Sequence, residues 1–280
     1  MKAAIFVNPT KEGASNAVGI VIPVLDSHGC DHCVITSPNE LYGRFPSGCD
    51  FAVILGGDGT VLMAAPWASR TATPVIGVDF GRLGYINELE PCEIPLIAKY
   101  FDNEYETDER MMLDISVKRK DKVIFSTTVL NEAVVGRGAL TKLVDLELYC
   151  GGEKAATYRA DGIIVATPTG STAYSMSAGG PIIDPALSLI TVSAVCPHGF
   201  TGSSSLVFSP ESPLSVKPSS KYKSDLYLTA DGSTNFCLYG GDTVEIVKSQ
   251  TTLKMIRFKH NSFYRTLTKK FNEKINGELL

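Results

Sequence analysis

At 280 residues, with 44% hydrophobic and 20% charged side chains, the chain has the composition of an ordinary globular protein and length for about two domains. A net charge of −4 argues against broad binding to nucleic acid or acidic membranes. No apolar run is long enough for a secretory core or a membrane span, so a cytoplasmic location is expected.

The N-terminus, MKAAIFVNPT, holds a five-residue apolar run over 3–7 that reads as a first strand ending at Asn8-Pro9. Ala17, Val18, Val21, Ile22 and Leu25 then recur at helical spacing, with Pro23 expected to kink or shorten that helix. Strand-like runs at 33–36, 51–55 and 74–78 alternate with helices, one starting after Gly59 and one over about 92–103. Such alternation predicts a mostly parallel sheet covered on both faces. From about 110 to 258 the pattern changes to period two, in MMLDISVKRKDKVIFSTTVLNEAVV, LVDLELY, DLYLTADG, DTVEIV and LKMIRF, separated by turn residues. That half reads as an antiparallel β domain. The tail returns to helical spacing with Phe263, Leu267, Phe271 and Ile275. The expected division is an α/β domain over 1–107, with 259–280 packing back on it, and a β domain over 108–258. The seven cysteines are odd in number and scattered. The one CxxC, Cys30-Asp31-His32-Cys33, has no second pair to complete a zinc site and reads as packing or surface thiols.

Residues 52–65, AVILGGDGTVLMAA, carry the first chemistry. The apolar run ends in Gly56-Gly57, with Gly59 and Thr60 close behind, a turn that lets backbone N–H groups approach a phosphate. Asp58 in its middle has the wrong sign, since two like charges about 4 Å apart at an effective dielectric of about 20 repel by about 4 kcal/mol. The turn lacks the spacing and lysine of a P-loop, and an Asp-Gly helix cap is its bland alternative. After the next strand, GVDFGRLGYIN places Tyr85 where it can stack on a base or fill core. In the β half, YRADGIIVATPTGSTAYSMSAGGPIIDP (158–185) holds a run dense in hydroxyls from Thr167 to Tyr174. Such a stretch suits a ribose or an adenine edge, against a surface turn as the alternative. Asn131-Glu132 interrupts an apolar run, and an unpaired buried polar group costs about 1–3 kcal/mol, so the pair is satisfied or functional.

GGDGT after a strand, Asn-Glu in a β domain and ADGIIVATPTGSTAYSMSAGGP, in that order, resemble the NAD kinase family. GGDGT alone is shared with diacylglycerol and sphingosine kinases and phosphofructokinases, and the TPTGSTAY stretch makes the resemblance specific. The likeness extends to FGRLGYI, to CPH at 196–198 and to the terminal helix. It implies a Rossmann-like N-terminal α/β domain, a C-terminal β-sandwich, a C-terminal helix returning to the first domain, and a site in the cleft between domains. It also implies ATP-dependent phosphorylation of the adenosine ribose 2′-hydroxyl of NAD to NADP, with Mg²⁺ or another divalent metal whose ligands are unassigned. The implied assembly is a homodimer or homotetramer with sites shared between subunits. By the same resemblance Asp58 is the catalytic base, and Gly59 binds NAD beside it. Gly56, Gly57, Gly59 and Thr60 are expected at the phosphates of ATP. Asn131 and Glu132 match the pair holding the adenine and the nicotinamide-side ribose. Arg159 and Asp161 match nucleotide-binding positions ahead of the hydroxyl stretch. Thr172, Ala173, Tyr174, Ser175, Met176 and Ser177 match the segment wrapping the adenosine, with Lys142 and Tyr85 as further NAD contacts. Two departures stand out: GFTGSSSLVFSP replaces a Leu-Ser-Phe-Arg-Pro-like stretch after His198, and Ser233 stands where glutamine is common. A lipid or sugar kinase sharing GGDGT, and a non-catalytic NAD(P)-binding sensor, are the alternative readings.

Overall fold

The computed structural model of the chain describes residues 1–36, 46–81, 84–138, 143–199, 204–219, 226–259 and 263–275. It divides into two compact units, Met1–Glu109 with Leu253–Leu280, and Arg110–Thr252.

In the first unit β1 (Lys2–Val7), β2 (Asp31–Ile35), β3 (Phe51–Gly56) and β4 (Val75–Asp79) form a parallel sheet in the order β2-β1-β3-β4. Every residue of β3 and β4 is buried. That is why they read as continuous apolar runs rather than alternating ones. Helix α1 (Ala14–Ser27) buries Ala14, Ala17, Val21 and Leu25, one stripe at helical spacing. Contrary to the expectation for Pro23, α1 continues through it to Ser27. Pro23 and Gly19 both lie on the exposed side, where water can take the Gly19 carbonyl that loses its N–H partner. Helix α2 (Asp58–Arg70) starts at Asp58 and sets Trp67 against Phe6 of β1, with ring centroids 5.1 Å apart.

The segment expected as a helix over about 92–103 is a 3-10 helix, Pro91–Tyr100. Its start is capped by the reciprocal Glu90–Glu93 box, and Pro95 inside it removes an N–H that an α-helix would use. The C-terminal helix lies in this unit too. Phe263 of that helix (Phe263–Ile275) has its ring 6.0 Å from Tyr85, and Lys270 Nζ sits 4.1 Å over the same tyrosine ring.

The second unit is a β-sandwich. One sheet runs β12 (Leu206–Phe208), β11 (Ile190–Val195), β10 (Gly162–Ala166), β7 (Glu132–Arg137), β14 (Leu226–Ala230), β15 (Thr234–Leu238). The other runs β16 (Thr243–Arg257), β13 (Leu214–Pro218), β8 (Val144–Cys150), β9 (Glu153–Ala160), with β5 (Glu106–Arg119) paired to β16 and to β6 (Lys122–Val129). Alternate residues of β8, β13 and β14 are buried, and they meet β7 and β10 in one core that includes Leu146, Val216, Leu228, Val135 and Ile163. The segments DTVEIV and LKMIRF, separate in the sequence reading, are the two ends of the single strand β16, whose Met255 pairs in parallel with Val75 of β4. All seven cysteines are free thiols. Among the described residues no helix is long and apolar enough to cross a membrane.

The end of β16 anchors the loop after β4. Arg257 donates through Nη1 to the Ile86 carbonyl (2.9 Å) and Glu88 Oε2 (3.3 Å), and through Nη2 and Nε to Asp108 Oδ2 (3.0 and 3.1 Å). Glu88, with its side chain 2% exposed, also accepts the backbone N–H groups of Phe258 and Lys259. Removing one partner from a buried ion pair strands the other. Arg257→Ala should therefore lower the stability of the first unit by about 3 kcal/mol, with Arg257→Lys recovering only part, because one ammonium cannot span three acceptors. Urea unfolding followed through Trp67, the chain's only tryptophan, checks this; a loss below about 0.5 kcal/mol would show the network contributes little.

Candidate functional site

In open parallel sheets, ligands bind beyond the carboxyl ends of the strands. There the first unit places GGDGT. Gly57 is extended (φ −94°, ψ −176°) and hands the chain to α2 at Asp58. A Cβ at Gly56 would lie 2.2 Å from Thr60 Oγ1, and that hydroxyl accepts the Asn8 amide at 3.1 Å. Gly56 and Thr60 are thus the packed underside of the turn. Gly57 and Gly59 are its open side, with nothing among the described residues within 4 Å of a Cβ built at Gly59.

Asp58 does not point into empty solvent. Its Oδ2 accepts the Tyr85 backbone N–H at 2.9 Å, and its Oδ1 accepts Asn87 N (3.3 Å) and Asn87 Nδ2 (2.8 Å). The carboxylate packs so closely on Gly84 that any Cβ there would run into it and displace it. Asp79, the last residue of β4, shapes the same loop by accepting the N–H groups of Gly81 (2.9 Å) and Gly84 (3.1 Å). Burial, with the nearby Asp58 charge, raises the Asp79 carboxyl above the usual range, against the pull of those N–H groups and of Lys11. Asp79, Asn87 and Lys11 were absent from the sequence reading. Asp79 and Lys11 could have been found by asking which polar residues follow the carboxyl ends of β4 and β1. Tyr85 is half-buried against Phe263 and Lys270, and burial raises its phenol.

In the second unit Asn131-Glu132 does not interrupt a strand, as expected, but stands at the break where β6 ends and β7 begins. There the backbone N–H groups would be orphaned, and Asp231, in the β14–β15 turn, collects them. Its Oδ2 accepts Leu130 N (2.8 Å), and its Oδ1 accepts Asn131 N (2.8 Å) and Glu132 N (3.0 Å). Burial pushes the Asp231 carboxyl up to about 6, against those three N–H groups. Burial, followed by the charge of Asp231, pushes Glu132 up to about 8, although the Tyr174 N–H donates to it. Glu132 thus holds its proton far more readily than an ordinary glutamate, and when protonated it can itself donate. Asn131 Oδ1 and Glu132 Oε2 are buried with no partner among the described residues. Adjacent unpaired polar atoms of this kind suit a ligand.

The hydroxyl-rich stretch is folded rather than an open loop: a 3-10 turn, Thr169–Thr172, followed by a short helix α3, Tyr174–Ser177. Thr167 donates to the Leu130 carbonyl (2.6 Å) and accepts the Gly170 N–H (3.1 Å). A Cβ at Gly170 would lie 2.2 Å from the Asn131 carbonyl oxygen, so this stretch closes directly on the Asn-Glu pair. Ser175 is buried, its hydroxyl 3.4 Å from that of Ser193. Tyr174 is 45% exposed, Ser177 is exposed, and Thr172, Ala173 and Met176 are half-buried. Arg159 extends from β9 with its side chain 67% exposed, 4.0 Å from Asp145, while Asp161 pairs with Arg137 at 2.8 Å. Lys142 lies outside the described residues. Among those residues no group of three or more His, Cys, Asp or Glu side chains could hold a metal ion.

Residues 26–105 match the ATP-NAD kinase N-terminal domain, and residues 130–258 the ATP-NAD kinase C-terminal domain. The NAD kinase of Geobacter sulfurreducens is 36% identical over 258 residues, covering 89% of this chain and 87% of its own length. That of Geobacter metallireducens is 34% identical over 251 residues, with the same coverage of 89% and 87%. Among solved structures, yeast NADH kinase complexed with NADH is similar at a TM-score of 0.85 and 25% identity, over 97% of this chain and 87% of that one. An NAD kinase from Archaeoglobus fulgidus in complex with ATP gives 0.76 and 26%, over 96% and 98%. The glycine turn, the Asn-Glu pair and the hydroxyl-rich stretch all fall within the matched domains, and the chain belongs to the NAD kinase family.

Proposed function

We propose that the chain transfers the γ-phosphate of ATP to the 2′-hydroxyl of the adenosine ribose of NAD, giving NADP, with Asp58 as general base. The observation that carries this reading is the geometry of the Asp58 carboxylate. A carboxylate has about four acceptor sites, and three are filled by Tyr85 and Asn87, which among the described residues leaves one on Oδ2. That one site can take the proton of the ribose hydroxyl as its oxygen bonds to the γ-phosphorus. The bond from that phosphorus to the bridging oxygen breaks, and ADP leaves with its electron pair. Phosphoryl transfer asks the protein mainly for positioning and charge neutralisation, and a carboxylate held by three N–H donors is positioned before substrate arrives.

The second unit supplies recognition in this reading. Asn131 Oδ1 accepts an exocyclic amine or a hydroxyl, the protonated Glu132 donates to a ribose, and the exposed Tyr174 ring stacks on a base. The solved relatives with bound NADH and bound ATP support the choice of substrates. A divalent cation would neutralise the phosphates during transfer. Magnesium commonly takes one or two carboxylates and otherwise phosphates and water. Asp79, with Oδ1 3.9 Å from a Cβ position on Gly57, would be the residue to supply one. A dimer or tetramer belongs to the same reading, and light scattering showing a fully active monomer would remove that part.

Three outcomes follow from these assignments. Asp58→Asn should lower turnover about 10²–10⁴-fold while NAD affinity stays within a few-fold, measured as NADP formation and calorimetric binding on the same folded variant. Near-normal turnover would remove Asp58 as base. Tyr174→Ala should weaken NAD binding about three- to tenfold through lost stacking, and an unchanged dissociation constant would assign the ring to packing alone.

Glu132 gives a pH signature. Its carboxyl holds a proton up to about 8 in the folded protein but only to about 4.3 in an unfolded chain. The folded state then binds the extra proton, so this contribution to stability is present at low pH and is lost as pH rises through 8. Glu132→Gln should flatten the fall of the thermal midpoint between about pH 6 and pH 9; parallel curves for the two proteins would contradict the shift.

A further inference from the structure

Asp58 and Asp79 together leave a charge problem at the glycine turn. The Asp58 charge already acts on Asp79, and a triphosphate arriving over Gly57 brings more of the same sign. Lys11 lies against this turn. It follows β1, and its backbone is fixed between two tight turns, Lys11 N to the Asn8 carbonyl and Ala14 N to the Lys11 carbonyl, both 3.1 Å. A Cβ built at Gly57 would lie 3.8 Å from Lys11 Cε, and one built at Gly81 would lie 3.8 Å from Lys11 Nζ. The end of the lysine therefore borders the space that these two glycines leave open.

The sheet topology points to the same place. The order β2-β1-β3-β4 means that the chain leaves β1 toward one side and returns to β3 on the other. The crevice at such a switch point is where open α/β sheets take ligands. The loops that flank it are those after β1 and β3, held side by side by the Asn8 N–H on the Leu55 carbonyl at 2.9 Å. One loop contributes Lys11 and the other Gly57, Asp58 and Gly59.

We propose that Lys11 is a donor-phosphate residue, its ammonium group binding the terminal phosphates of ATP over Gly57 and Gly81. An ammonium offers three donors and a compact charge, which suits phosphate oxygens whose orientation changes during transfer. Asp79 Oδ1 borders the same open space, 3.5 Å from a Cβ built at Gly81, and the Lys11 charge pulls its carboxyl down against burial, so Lys11 stands at the crevice before the nucleotide binds. This assignment rests on reading the site as that of an ATP-dependent kinase.

The test compares Lys11→Met and Lys11→Arg with the wild type in four measurements: kinetics with ATP varied, NAD affinity by calorimetry, affinity for inorganic triphosphate, and thermal midpoint. Lys11→Met should lower kcat/KM for ATP and the affinity for triphosphate about 10- to 100-fold, the worth of a charge-assisted hydrogen bond, with NAD affinity within about twofold. Lys11→Arg should restore most of the loss. A Lys11→Met protein that matches the wild type with both ATP and triphosphate overturns the assignment. So does one that loses ATP and NAD affinity equally together with thermal stability, because Lys11 would then only balance Asp79. A wild type that binds triphosphate through Lys11 yet forms no NADP would leave Lys11 in place and remove the kinase reaction instead. Failure of the wild type to bind triphosphate overturns the Lys11 assignment as well.

Discussion

Both units depend on carboxylates whose charge is met by N–H groups of the protein rather than by water. Taking a carboxylate out of water costs several kcal/mol unless its lone pairs are filled, so each such group dictates the backbone around it. Asp58 requires Tyr85 and Asn87 to turn their N–H groups inward, Asp79 requires the same of Gly81 and Gly84, and Asp231 requires it of Leu130, Asn131 and Glu132. The glycine at 84 follows from this, since any Cβ there would run into the Asp58 carboxylate.

The loop after β4 shows how such constraints combine. Asp79 gathers its start, Asp58 gathers its middle through Tyr85 and Asn87, and Arg257 gathers its end through the Ile86 carbonyl and Glu88. Three charged side chains, from β4, α2 and β16, thus hold the described part of this loop. The C-terminal helix adds to this hold by covering the Tyr85 ring with Phe263 and Lys270.

In the β-sandwich, burial is used differently. Burial pushes both the Asp231 and the Glu132 carboxyl up, to about 6 and about 8, and the Asp231 charge adds to the rise at Glu132. Asp231 accepts from the backbone, while the Glu132 carboxyl holds its proton more readily than an ordinary glutamate. A raised carboxyl beside the unpaired Asn131 oxygen leaves two buried polar groups without a partner among the described residues.

Much of this was legible in the sequence because it is local. Apolar runs ending in GGDGT mark a strand, a turn and a helix within a dozen residues, and the TPTGSTAY stretch declares itself by density of hydroxyls alone. The period change near residue 105 separated parallel α/β from antiparallel β, since a strand buried on both faces and one buried on a single face carry different patterns. Proline was less well read. Pro23 is tolerated because it faces solvent, and Pro95 marks a 3-10 helix, and neither exposure nor helix type is written in a local spacing. What only the tertiary structure decided is the partnering of the charges. Asp58 meets Asn87 across 29 positions and Asp231 meets Leu130 across 101, while Lys11 reaches Gly57 and Gly81 only because β1, β3 and β4 lie side by side. Sequence periodicity specifies which face of an element is apolar; it says nothing of which distant N–H a carboxylate will meet, or how dry that meeting place will be.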